Sequence, residues 1–134
     1  MKERGGHVIL DSSAIVSILT REIGYVETAS RASKATILAA GTPTLVETSM
    51  VLSRKLGGNS RALLRGFLRD MSVQVIPFTE EHYEIAIDAF ERFGKGRHPA
   101  ALNFGDCMTY AIARLSGLPL LYTGEDFART DLTP

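Results

Sequence analysis

Apolar positions along the chain follow two rhythms. Four runs of strand length, His7-Val8-Ile9-Leu10, Thr36-Ile37-Leu38-Ala39-Ala40, Val73-Gln74-Val75-Ile76 and Leu120-Leu121-Tyr122-Thr123, stop at Asp11, Gly41, Pro77 and Gly124. Between them apolar residues recur at the three- and four-residue steps of a helix. After the first run, Ala14 to Leu19 fits a helix behind Asp11-Ser12-Ser13; after the second, Thr42 can cap and Pro43 can open a helix reaching about Leu56, which Gly57-Gly58 ends. Asn59 caps the next, with Leu63, Leu64, Phe67, Leu68 and Met71 on one face and Arg61, Arg65 and Arg69 on another. Thr79 with Glu80 and Glu81 opens a helix whose stripe of Tyr83, Ala86, Ile87, Phe90 and Phe93 is expected to be buried. Gly94 to Pro99 reads as a basic, flexible loop, and Asn103 caps a last helix that turns Cys107, Met108, Ala111, Ile112 and Leu115 inward before Gly117.

Strands that are apolar on both faces and alternate with helices predict an α/β fold with a parallel sheet covered on both sides. A length of 134 residues predicts one domain, residues 1–134, with no repeat or linker. A hydrophobic share of 45% places it among globular chains. The charged start, Met1 to Gly6, leads into an apolar run too short for a secretory signal, and no run reaches a membrane span. The single Cys107 has no disulfide partner and no zinc-ligand spacing around it, so a reducing compartment, the cytoplasm, is expected.

Fifteen basic and fifteen acidic side chains cancel, which speaks against coating nucleic acid in bulk but leaves a local phosphate grip open. In open parallel sheets ligands sit beyond the carboxyl ends of the strands. Four acids approach that edge: Asp11 at the end of the first strand, Glu47 one turn into the second helix, Asp106 in the first turn of the last helix, and Asp126 just past the last strand. Each has an ordinary explanation. Asp11 can be a helix cap, Asp106 a third-position acid, Glu47 a solvated helix residue and Asp126 a turn former. Together they would repel one another by about 4 kcal/mol per pair at an effective dielectric of 20, a cost that a cation removes. Carboxylates without His or Cys suit Mg²⁺ or Mn²⁺ rather than zinc, and a metal-activated water implies phosphodiester hydrolysis.

The segments Val8-Ile9-Leu10-Asp11-Ser12-Ser13-Ala14, Leu45-Val46-Glu47, Leu102-Asn103-Phe104-Gly105-Asp106-Cys107 and Thr123-Gly124-Glu125-Asp126-Phe127 with Thr130-Asp131 resemble the successive acidic motifs of the PIN domain in its VapC branch. The resemblance runs from His7 to Leu132 and implies a three-layer α/β/α PIN-like domain with a central, mostly parallel sheet. It further implies that Asp11, Glu47, Asp106 and Asp126 ligate a metal and that Ser13 supports them by hydrogen bonding to a carboxylate. Glu125 and Asp131 compete with Asp126 for the fourth place. The implied activity is metal-dependent RNA cleavage by the toxin of a toxin-antitoxin pair. The implied partners are an RNA substrate and a small VapB-like antitoxin, whose arm would cover the acids with an Arg or Lys. Self-association into a homodimer or larger assembly is expected through surplus apolar surface on residues 14–19 and 45–52.

Other readings are weaker. A haloacid-type phosphatase would need an acid where Ser13 stands, and a receiver domain a lysine near Gly124-Glu125-Asp126. A non-catalytic PIN-like binding module would have no use for an intact acid set. Ser12-Ser13 lacks a partnered His for a serine hydrolase. His7, His82 and His98 are expected on the surface and Cys107 in the core. The Arg61, Arg65, Arg69 stripe fits a solvated face, a contact to RNA phosphates or a contact to an acidic partner.

Overall fold

The computed structural model describes residues 5–132; the charged start from Met1 to Arg4 lies outside the described residues. Four strands, β1 (Gly5–Leu10), β2 (Ala35–Gly41), β3 (Gln74–Ile76) and β4 (Leu120–Leu121), form one sheet in the order β3-β2-β1-β4. All the pairings are parallel, with Ile9 opposite both Ala39 and Leu120, and Ala40 opposite Val75. The carboxyl ends of all four strands therefore share one edge, as the alternation of strands and helices predicts.

Because successive strand side chains point to opposite faces, β1 and β2 feed two cores. Ile9, Ala39 and Leu120 pack under α5 (Glu80–Phe93) and α6 (Phe104–Ser116). Leu10, Leu38, Ala40 and Leu121 pack against α1 (Ser12–Thr20), α2 (Tyr25–Lys34), α3 (Thr42–Leu56) and α4 (Ser60–Asp70). These are the three layers. Among the described residues no helix is long and apolar enough to cross a membrane.

Five details differ from the sequence pattern. The segment Tyr25–Lys34 forms α2, which apolar spacing does not announce because its buried residues are Thr28 and Ala32. In α5 the inward residues are His82, Ala86, Ala89 and Phe93, whereas Tyr83, Ile87 and Phe90 are exposed. Two small alanines let α5 approach its neighbour closely. His82 is not a surface residue: its Nδ1 accepts from Thr79 N at 2.9 Å and completes the helix cap. The basic loop after α5 is held by turns, with Lys95 N donating to Leu102 O and Leu102 N to Phe93 O, both at 2.9 Å. In α6, Leu115 points outward and Tyr110 takes an inward place.

Candidate active site

Asp11 leaves β1 and caps α1, with its Oδ2 accepting from the backbone of Ser13 at 3.0 Å and from Ser13 Oγ at 2.6 Å. Ser13 Oγ in turn accepts from Thr123 N at 3.0 Å, tying the first acid to the chain leaving β4. Asp11 is only 3% exposed, and its other oxygen, Oδ1, is buried without a hydrogen-bond partner among the described residues. An orphaned carboxylate oxygen inside a protein is costly, and a cation is one of the few things that relieves it.

Glu47 reaches this place from α3. Ser12 Oγ donates to its Oε1 at 3.0 Å. Burial raises the Glu47 carboxyl above its ordinary range, the Ser12 hydrogen bond opposes that, and Asp11 adds to it. Gly105 at the start of α6 leaves the space that the Glu47 carboxylate fills; a β-carbon there would overlap it. A buried contact between Thr44 Oγ1 and Thr109 Oγ1 at 3.0 Å fastens α3 to α6, and with them Glu47 and Asp106. Apolar spacing gives no hint of this polar pair, though two threonines inside helices are its trace.

Asp106 is the third residue of α6 and forms a capping box with Asn103: its Oδ2 accepts from Asn103 N at 3.0 Å, and its own N donates to Asn103 Oδ1 at 2.9 Å. Burial pushes its carboxyl up to about 7, against the Asn103 hydrogen bond and with help from Asp11, Asp126 and Glu47. The ordinary cap roles of Asp11 and Asp106 are thus real, and they coexist with mutual repulsion.

Asp126 precedes a short 3-10 turn, Phe127–Arg129, and its carboxylate is exposed. It bears on Asp106, whereas Glu125 does not figure among the charges acting there. Asp131 is committed elsewhere. Tyr110 Oη donates to its Oδ1 at 2.7 Å, and Arg92 and Arg114 each approach its Oδ2 at 3.2 Å. Burial works upward on Asp131, but these three partners outweigh it and hold the carboxyl below the usual range. Among the described residues no three acids stand as a ready-made ion cage. The donor set of hard oxygens, one of them orphaned, fits an ion that keeps several of its own waters, as Mg²⁺ does.

The chain matches the PIN domain over residues 8–132. It is also 41% identical over 128 residues to the ribonuclease VapC36 of Mycobacterium tuberculosis, covering 93% of this chain and 91% of the relative. The chain belongs to the PIN-domain family, in its VapC branch. Solved VapC structures share the fold. The sarcin-ricin-loop-cleaving toxin VapC20 of Mycobacterium tuberculosis superposes with a TM-score of 0.78 at 19% identity, covering 94% of this chain and 96% of that one. VapBC2 of Rickettsia felis, bound to a DNA fragment from its promoter, gives 0.69 at 14% identity, covering 91% and 90%.

Proposed function

We propose that this VapC-branch PIN domain, a single domain over residues 1–134, is a metal-dependent endoribonuclease and the toxin of a toxin-antitoxin pair in the cytoplasm. The observation that carries this reading is the buried Asp11 Oδ1, without a hydrogen-bond partner among the described residues, beside Asp106, whose carboxyl burial raises and Asp11, Asp126 and Glu47 raise further. The ribonuclease named among its relatives supports the choice of RNA.

Asp11, Glu47, Asp106 and Asp126 would hold Mg²⁺ or Mn²⁺. Once bound, such an ion supplies Lewis-acid chemistry, offsetting charge on the scissile phosphate and making a water more acidic. The chain's own residues prepare the place. Ser13 fixes the Asp11 carboxylate and Ser12 that of Glu47, so both oxygens are oriented before substrate arrives. Asp106 keeps Oδ2 on Asn103 N, which leaves its other oxygen for the site; burial favours the protonated form of this carboxyl, and a bound cation would favour the ionised one.

Control would come from a small VapB-like antitoxin whose Arg or Lys enters the negative patch and hydrogen-bonds to its carboxylates. The apolar surplus for a partner or a second copy lies on α3, where Val46 is 61% and Met50 56% exposed, rather than on α1, whose Ala14, Ile15 and Val16 are buried. The direct test is cleavage of mixed RNA by the purified chain with Mg²⁺, with Mn²⁺ and with excess chelator. Divalent-dependent cleavage is expected; undiminished activity in chelator refutes the metal role, and no cleavage under any condition refutes the nuclease.

A further inference from the structure

Helices α3 and α6 run antiparallel where they meet, and three contacts about one turn apart record their register. Gly41, the residue before α3, lies against Ile112, Thr44 against Thr109, and Glu47 against Gly105. At both outer contacts a glycine receives a side chain from the other segment, and a β-carbon on either glycine would overlap it. Burial of this kind draws helices close but has no direction, so it does not by itself choose one register over a small slip. The middle contact differs. Thr44 Oγ1 and Thr109 Oγ1 share a hydrogen bond at 3.0 Å, both side chains are fully buried, and among the described residues neither hydroxyl makes another hydrogen bond. Valine has the same branched shape and would fill either place without a hydroxyl to satisfy, so packing alone does not call for two threonines. A slip between the helices would strand both hydroxyls in the core.

That register governs the acids. Glu47 follows Thr44 by three residues and Asp106 precedes Thr109 by three, so in an antiparallel pair both acids stand one turn from the bond on the same side of it. Ser12 and Asn103 steady the two carboxylates separately, whereas among the described residues the threonine pair alone joins α3 to α6 by a hydrogen bond. Any slip would pass directly into the separation of the carboxylates. Mg²⁺ takes oxygen ligands near about 2.0–2.1 Å in strict octahedral geometry, while Ca²⁺ accepts more of them at about 2.3–2.6 Å in variable arrangements. A fixed spacing thus discriminates between ions, and a loose one does not. Resting on the metal-dependent reading above, we propose that the Thr44–Thr109 hydrogen bond pins α3 and α6 in one register and thereby makes the site selective for Mg²⁺ over Ca²⁺. Both threonines are positioning residues; neither touches the ion or the RNA.

Mn²⁺ bound to the metal-free chain can be followed by its electron paramagnetic resonance while Mg²⁺ or Ca²⁺ is titrated against it, with a thermal melt of each protein in chelator alongside. The wild type should release Mn²⁺ to Mg²⁺ at lower concentration than to Ca²⁺. Replacing both hydroxyls at unchanged shape, Thr44→Val with Thr109→Val, should leave Tm within about 4 °C of the wild type. The same double variant should lose roughly tenfold of the preference for Mg²⁺, the lower end of what contacts outside the ligand shell contribute to a metal site. Thr44→Ser keeps the hydroxyl and removes a methyl group, so it should do the reverse, lowering Tm by roughly 4 °C and keeping the preference. A wild-type preference in the double variant overturns the proposal and leaves the metal site standing. So does a preference lost in Thr44→Ser, because stability and not the hydroxyl would then set it, and so does a wild type that binds Mn²⁺ but yields it equally to both ions. A wild type that holds no Mn²⁺ at all overturns the metal reading, and this proposal with it.

Discussion

Asp106 sits where a helix favours negative charge, yet burial drives its carboxyl from 3.8 up to about 7, with Asp11, Asp126 and Glu47 adding to the push. A carboxyl whose folded value exceeds its unfolded one stabilises the fold below the unfolded value, and that contribution is lost as pH rises through the folded value. The metal-free protein should therefore weaken from about pH 4 to about pH 7 on this account. Asp106→Asn should remove that loss, raising Tm in chelator by roughly 4 °C at pH 8, while unfolding at acid pH matches the wild type. In Mg²⁺ the order should reverse, because the wild type alone gains the bound ion. A thermal melt of both proteins at two pH values, with and without Mg²⁺, checks all of this; equal Tm values in chelator at pH 8 would deny the cost of ionising Asp106 in its buried place. Ser13 offers a second test, because its hydroxyl donates to Asp11 and accepts from Thr123 N. Ser13→Ala should cost about 1–3 kcal/mol in denaturant unfolding and lower cleavage in the same preparation.

At the scale of elements, the site depends on how closely α6 approaches α3. Gly105 lies inside α6 with its φ outside the left-handed region, so alanine suits the helix and would favour it by up to about 1 kcal/mol, but its methyl group would displace the Glu47 carboxylate. Gly105→Ala should therefore keep or raise Tm and lose most RNA cleavage, a split that thermal melts and a cleavage assay on one sample would reveal. Most elements are legible in the chain because long helices announce themselves by period and strands by short apolar runs ending at Asp11, Gly41 and Pro77. The missing helix, α2, buries only Thr28 and Ala32, so it has no stripe to read. The misread face of α5 has a related cause: its large apolar residues, Tyr83, Ile87 and Phe90, lie outward, while small Ala86 and Ala89 make the contact. Size suggested burial where close packing selected smallness. The acids were legible because strand ends in a parallel sheet share an edge. What sequence could not reveal was that the Asp131 carboxylate is taken by Tyr110 and Arg114 of α6 and Arg92 of α5.

Across the whole molecule, Asp131 fastens the segment after β4 to α5 and α6, and that segment carries Asp126. Its carboxyl lies below the ordinary range, so the stabilisation is present above the unfolded value near 3.8 and is lost as pH falls through the folded one. Asp131→Asn should loosen the segment at neutral pH, seen as faster proteolysis after Thr123 and slower RNA cleavage; unchanged proteolysis would mean that Phe127, only 2% exposed, suffices to hold it. The sheet order adds a consequence in time. β1 is an interior strand that stays open on one side until β4 arrives, and Thr123 N meets Ser13 Oγ across 110 positions of sequence. During synthesis at about 5–20 residues per second, the chain exposes Asp11 long before the strand that braces it has been made. A ribosome building this protein thus carries a first acid whose brace does not exist until Thr123 has been added.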